Sequence, residues 1–263
     1  MKIAVVQHDI AWCDREANFA RLARFIERAG ANDADLVLLS ETFSTGFAVE
    51  DERFAEPESG PSSQFLHDMA VTHGLWVGGS CPEVPADSDA SADSRTNVDA
   101  RPANTFVLAG PDGTVHRYRK IHPFTFGGED RHVRPGDELV TVDIDGIRIS
   151  MFVCYDLRFS DEFWNVARET DLYLVPANWP ASRREHWMTL LRARAIENQA
   201  YVVGCNRVGE GGGLVYSGDS CIIGPFGEEL AVALDGETIL YADVSAADVA
   251  KTRDRFRFLQ DRR

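Results

Sequence analysis

No stretch of the chain stays apolar for the roughly 18 residues that a bilayer-spanning helix needs. Positive charge is scarce as well: 27 Lys and Arg stand against 42 Asp and Glu, a formal net charge of −15. A surface of that sign repels phosphate backbones and anionic lipid, which argues against nucleic acid and membranes as partners. Cysteine is present without a pairing pattern. Cys13, Cys81, Cys154, Cys205 and Cys221 are odd in number and none forms C-x-x-C. A disulfide framework or a zinc site is therefore unsupported, and free thiols in a reducing compartment fit better. The G-x-S-x-G of a serine-hydrolase elbow and the H-E-x-x-H of a zinc protease are both missing. The chain opens directly on a strand-like run instead of a signal peptide, so the expected location is the cytoplasm.

What the chain does have is enough apolar residue for one large core. With 263 residues, 44% hydrophobic and 26% charged, it falls in the range of a single α/β domain. Residues 2–7 read as a buried strand. Phe19, Leu22, Ala23, Phe25 and Ile26 recur at helical spacing within residues 15–29, and residues 35–40 supply a second strand, completing a β-α-β unit. Beyond it, residues 63–73 read as a helix and 75–80 as a strand. Strands 103–109 and 115–119 flank the turn Gly110-Pro111-Asp112-Gly113 and predict a hairpin. Residues 147–154 read as a strand, 161–169 as a helix, 171–175 as a strand, 185–199 as a long helix and 200–206 as a strand. A second hairpin, 220–223 with 229–233, surrounds Gly224-Pro225-Phe226-Gly227, and 238–244 is a last strand. Residues 83–102, rich in Asp, Ser, Ala and Pro, read as a long mobile loop within one domain spanning 1–263.

Three side chains stand where strands end, the edge at which open α/β sheets bind ligands. Cys154 follows the apolar run 149–153, and a thiol there can serve as a nucleophile if a base or cation is near. The commoner role of a lone buried cysteine is packing. Glu41 follows Leu36-Val37-Leu38-Leu39-Ser40, where partial burial would tune it toward general-base work. Lys120 follows Arg117-Tyr118-Arg119, and its ammonium could hold an oxyanion. Taken alone, that basic run reads as a solvated strand end. A cysteine–histidine arrangement using His122, His132 or His186 stays open. A metal site built on His116, His122 and His132 has little support.

In order and spacing, these segments resemble the nitrilase superfamily of carbon–nitrogen hydrolases over nearly the whole chain. The markers are Lys2-Ile3-Ala4-Val5-Val6-Gln7, Ser40-Glu41-Thr42-Phe43, Tyr118-Arg119-Lys120-Ile121-His122-Pro123-Phe124, Cys154-Tyr155-Asp156-Leu157-Arg158-Phe159, and Leu191-Arg192-Ala193-Arg194-Ala195-Ile196-Glu197-Asn198-Gln199. The resemblance implies an α/β (α+β) four-layer α-β-β-α sandwich and a triad of Glu41, Lys120 and Cys154. It further implies a second glutamate against the lysine, which Glu129 fits best, and a homodimer formed through the helices near the cysteine. With the backbone N–H of Tyr155 sharing the oxyanion, the implied chemistry is amide hydrolysis through a thioester with no metal or organic cofactor.

Ala177-Asn178-Trp179-Pro180 with His186-Trp187 is similar to the bacterial omega-amidase branch, whose members hydrolyse the terminal amide of 2-oxo acids such as 2-oxoglutaramate. Deaminated-glutathione amidase and nitrilase activities share the same triad, and a scaffold protein that kept the fold is the non-enzyme alternative. A distant substrate carboxylate calls for an arginine fork. Arg158 is the candidate, with a structural salt bridge to a helix carboxylate as its alternative. Phe47, Asn178 and Trp179 either line the pocket or pack. Arg194 and Glu197 read as a structural i,i+3 pair. Two positions depart from the family pattern: Ser40 stands where many members have proline, and Ser160-Asp161 where many have Pro-Glu.

Overall fold

The computed structural model describes residues 1–51, 53–84, 86 and 101–262. The chain opens with β1 (Lys2–Gln7), α1 (Arg15–Gly30), β2 (Leu36–Leu38), β3 (Glu56–Pro57), α2 (Pro61–His73) and β4 (Trp76–Val84). A hairpin follows, β5 (Ala103–Ala109) with β6 (Val115–Arg119), then a single helical turn α3 (Glu129–His132). The second half runs β7 (Thr141–Ile144), β8 (Ile147–Met151), α4 (Ser160–Asn165), β9 (Leu172–Ala177), α5 (Arg184–Asn198) and β10 (Tyr201–Asn206). It ends with β11 (Val208–Gly211), β12 (Leu214–Ser217), β13 (Cys221–Ile223), β14 (Glu229–Val232), β15 (Thr238–Asp243) and α6 (Ala246–Arg255).

The strands form two main sheets. One runs β15-β1-β2-β4-β5-β6 with β3 alongside β4; the other runs β14-β13-β10-β9-β8-β7. Side-chain parity explains how they stack, because alternate residues of a strand face opposite sides. Ala4, Val6, Val37, Leu39, Val77, Val107 and Ala109 pack with Leu22, Ile26 and Ala29 of α1 and with Leu66 and Ala70 of α2. The intervening residues Ile3, Val5, Leu36, Leu38, Phe106 and Leu108 pack toward the second sheet. The inner face of that sheet carries Cys205, whose thiol donates to Val6 O and Leu38 O of the first. On its outer face, Tyr173 bonds the Phe163 carbonyl of α4. Gly204 lies so close to α5 that an added Cβ would fall 2.5 Å from Leu191 Cδ1. The order is therefore helix, sheet, sheet, helix. Among the described residues no helix is long and apolar enough to cross a membrane.

Local chemistry sets the helix ends. Asp14 caps α1 through the Ala17 N–H at 3.0 Å, as a short acceptor side chain does at an N-terminus. Pro61 begins α2, and Gly74 ends it in the left-handed region at φ 67°.

Several sequence expectations need correction. The strand read as 147–154 stops at Met151, and Cys154 instead opens a 3-10 turn, Cys154–Arg158. The helix read as 161–169 breaks after Asn165 and resumes as a 3-10 turn. Glu83 and Val84, assigned to a loop by composition, continue β4 and pair with β3, while Glu83 also pairs with Ala103 of β5. Residues 85 and 87–100, and with them most of the stretch read as a long mobile loop, lie outside the described residues. The basic run at 117–119 is not a solvated strand end: Arg117 pairs with Glu83 at 3.1 Å, Tyr118 is buried, and Arg119 meets Glu58 at 3.6 Å. The β11–β12 hairpin and α6 were not anticipated. Gly209, Gly211, Gly212 and Gly213 make the hairpin look like loop, and α6 buries only Val249.

Candidate active site

Glu41, Lys120, Cys154 and Asn178 each sit just past a strand end, of β2, β6, β8 and β9 respectively. Because β2 and β6 belong to the first sheet and β8 and β9 to the second, the four meet at one end of the sheet interface. Lys120 is fully buried there, its Nζ 2.9 Å from Glu41 Oε1 and 2.8 Å from Glu129 Oε2. Such an ammonium is tolerable in the interior only because both carboxylates surround it. Burial works against its charge, but Glu129 and Glu41 outweigh burial and hold the proton well above the ordinary lysine range.

The glutamates are fixed in turn. Asn104 Nδ2 donates to Glu41 Oε1 at 2.9 Å and to Glu129 Oε1 at 3.1 Å. The Asn178 N–H donates to Glu41 Oε2 at 2.8 Å, and the Phe124 N–H to Glu129 Oε2 at 2.5 Å. Burial first and the Glu41 carboxylate second push the Cys154 thiol well above the ordinary range, with Lys120 opposing. At neutral pH the group is a thiol beside a proton acceptor, not a standing thiolate.

Backbone strain gathers at the same place. Cys154 has φ 46° and Thr42, next to Glu41, has φ 43°. Side chains in that region cost about 1–3 kcal/mol each and persist only where surroundings enforce them. Thr42 is held by its N–H to Ser80 Oγ at 3.0 Å and by Asn178 Nδ2 to its own Oγ1 at 2.9 Å. The Cys154 turn is held by Asp156, whose Oδ2 accepts the Val153 N–H at 2.9 Å.

Above Cys154 lies a small pocket of about 20 Å³ that includes Tyr155, Arg158, Trp179 and Arg183. It opens into a cleft of about 470 Å³ walled by Trp12, Phe47, Leu214 and Tyr216. Phe124, Asn178, Pro180 and Arg183 line both. Phe47 places its ring 5.6 Å from Lys120 Nζ. Arg158 lies over the Trp179 ring at 4.7 Å, with Nη2 3.2 Å from His186 Nδ1. Among the described residues it forms no ion pair, which corrects the salt-bridge alternative. Arg194 and Glu197 do pair, at 2.8 Å, and Arg194 also bonds Leu157 O.

His122 stacks on Phe159 at 3.7 Å and meets Glu162 at 3.4 Å. Among the described residues no histidine bonds Cys154, so the cysteine–histidine alternative falls. No group of three His, Cys, Asp or Glu among them could hold a metal ion.

Sequence reasoning missed Asn104, Asp156, Arg183 and Tyr216. Asn104 left a usable signal, since a lone amide at the start of an apolar strand must find buried partners. Arg183 and Tyr216 left none, because their neighbours come from distant parts of the chain.

A buried lysine clamped by two carboxylates beside a cysteine on a strained turn is a site built for acyl chemistry. The chain matches the carbon–nitrogen hydrolase family over residues 2–254 and belongs to it. It is 39% identical to the omega-amidase YafV of Escherichia coli K12, over 99% of this chain and 96% of that one. With the 2-oxoglutaramate amidase of Bacillus subtilis 168 it shares 30% identity, over 98% and 96% of the two chains. A CN-hydrolase superfamily protein from Xanthomonas campestris, solved with an arsenic adduct in its active site, superposes with a TM-score of 0.90. That protein is 35% identical, with 100% of this chain and 97% of that chain covered.

Proposed function

We propose that this carbon–nitrogen hydrolase is an omega-amidase that cleaves the terminal amide of small 2-oxo acids such as 2-oxoglutaramate or 2-oxosuccinamate. The observation that carries the chemistry is the placement of Lys120 Nζ between Glu41 and Glu129, beside the Cys154 thiol. Omega-amidase and 2-oxoglutaramate amidase relatives of nearly equal length support the substrate class.

In this reading Glu41 takes the thiol proton as Cys154 Sγ attacks the amide carbon. The Lys120 ammonium and the Tyr155 N–H receive the oxyanion in a buried site, where such donors act most strongly. Glu41 returns its proton to the amide nitrogen, the C–N bond breaks, and ammonia leaves a thioester on Cys154. Glu41 then deprotonates a water molecule, which attacks the thioester and releases the acid and the thiol. Lys120 stays protonated throughout, which its two carboxylates favour. Glu129 acts by holding that ammonium. The reading includes a homodimer in a reducing compartment: Trp164 of α4 and Ile196 of α5 are exposed on the helical face near the cysteine turn, and all five cysteines are free thiols.

Ammonia release measured on 2-oxoglutaramate, 2-oxosuccinamate, deaminated glutathione and an aliphatic nitrile tests the assignment. Turnover is expected on the first two and abolished by Cys154→Ala with the fold intact. Preference for the nitrile or for deaminated glutathione would overturn the substrate class. Full activity in Cys154→Ala would overturn the mechanism.

A further inference from the structure

We infer that Arg183 is the residue that selects the substrate's distal carboxylate. This rests on the omega-amidase reading and adds the group that makes the enzyme prefer an amide bearing an acid at its far end.

The first consideration is space. The pocket directly over Cys154 is about 20 Å³, room for little more than one small polar group. It can take the reacting amide, and the remainder of a five-carbon 2-oxo acid must extend into the outer cleft. Arg158 lines only the inner pocket, whereas Arg183 lines both. A cation meant for the far carboxylate has to stand where Arg183 stands.

The second is charge. In so acidic a chain most arginines near the cleft already have acids. Arg184, the next residue, pairs with Asp219 at 2.7 Å, Arg53 with Asp51 at 2.7 Å and Arg207 with Asp9 at 2.7 Å. Among the described residues Arg183 pairs with none. Its guanidinium lies 5.3 Å from the Phe124 ring centroid, which leaves the fork edge available to a planar anion. Arg158, by contrast, is engaged by the Trp179 ring and the His186 ring nitrogen and serves as part of the inner wall.

The third is rigidity. Arg183 ends the 3-10 turn Ala181–Arg183, and its carbonyl accepts the Trp179 indole N–H at 2.8 Å. The backbone carrying the guanidinium is thus tied to the side chain that floors the Cys154 pocket. Tyr216 lines the same cleft; burial pushes its hydroxyl up to about 12, so it remains a donor able to share the anion.

The test compares kcat/KM for 2-oxoglutaramate with that for butyramide, a neutral amide without the acid. The wild-type ratio should strongly favour 2-oxoglutaramate. In Arg183→Gln the ratio should fall on the order of 10²-fold, mainly through KM for the oxo acid, and Arg183→Lys, which keeps charge but not the fork, should lie between. Arg158→Gln should lower both substrates together and leave the ratio near wild type. An unchanged ratio in Arg183→Gln, or collapse of the ratio in Arg158→Gln alone, would overturn the inference while leaving the omega-amidase reading in place. A wild-type enzyme with no preference for 2-oxoglutaramate would overturn that reading, and the inference with it.

Discussion

Tyr118 donates its hydroxyl hydrogen to Asp156 Oδ2 over 2.8 Å, and this bond joins the strand that delivers Lys120 to the turn that carries Cys154. Asp156 also accepts the Val153 N–H at Oδ2 and the His122 N–H at Oδ1, each at 2.9 Å. Its carboxyl is fully buried, and two flanking segments of the site hang on it. Ring contacts of Tyr118 with Phe152 and of His122 with Phe159 reinforce the same junction.

That burial gives Asp156 a pH signature. Burial raises its carboxyl from 3.8 to about 6, against the pull of Lys120 and of its hydrogen bonds. The folded protein therefore takes up this proton before the unfolded chain does. The associated stabilisation is complete below about 3.8 and is lost as pH rises through about 6. Asp156→Asn removes the titration while keeping the shape. The variant should trail wild type by more at pH 5 than at pH 8, by about 1.4 kcal/mol in urea unfolding. The same gap at both values would mean that Asp156 does not titrate in this window.

Glu129 is predicted to act through Lys120. In Glu129→Gln the amide oxygen can take the place of Oε2, which accepts from Lys120 Nζ and the Phe124 N–H, but the amide NH2 then faces two donors, Lys120 Nζ and Asn104 Nδ2, each 3.1 Å from Oε1. The ammonium should shift out of place and kcat fall by about 10²-fold, as when an oxyanion donor is lost. Because Glu129 is the strongest influence raising the lysine's proton affinity, the alkaline limb of the kcat profile should also move to lower pH. Steady-state rates across pH, paired with a thermal melt, check both effects. A lower melting temperature with the rate per folded molecule intact would make Glu129 purely structural.

What was legible in the chain follows from how local each signal is. Hairpin β5–β6 was placed to the residue because Gly110-Pro111-Asp112-Gly113 announces its own turn. Glu41 and Cys154 were singled out because each follows an apolar run, Lys120 because it ends a hairpin strand, and their order in the chain matched a family pattern. That Cys154 opens a 3-10 turn with a positive φ instead of ending a strand was hidden, since nothing in Val153-Cys154-Tyr155 favours that conformation. The turn is imposed by Asp156, whose partners Tyr118 and His122 lie far back in the sequence. Arg183 was hidden for a related reason. Arg183-Arg184 reads as a solvated pair at a helix start, and only the packing shows that one finds Asp219 while the other faces the cleft. Arg158 was the candidate anion fork through its nearness to Cys154 in sequence, and it does line the small pocket there; that Arg183 lines both this pocket and the cleft is visible only in the packing.

The five thiols give a last prediction, because their settings differ sharply. Cys81, Cys205 and Cys221 are fully buried, and burial pushes all three well up. Cys13 is more open, but burial and the carboxylate of Asp51, 3.6 Å away, both raise its thiol. Cys154 also has a raised thiol, yet it alone combines a place at the base of the cleft with a carboxylate positioned to take its proton as a bond forms. Iodoacetamide has the shape of a small amide and should enter that pocket. At neutral pH it should label Cys154 first, with activity lost in step with one modification per chain. Glu41→Gln should slow this labelling by about 10²-fold, the usual weight of a positioned base, while labelling of Cys13 is unaffected. Peptide mass mapping over time reads both rates. Faster labelling of Cys13 with activity retained would show that access, and not the Glu41 base, governs thiol reactivity in this protein.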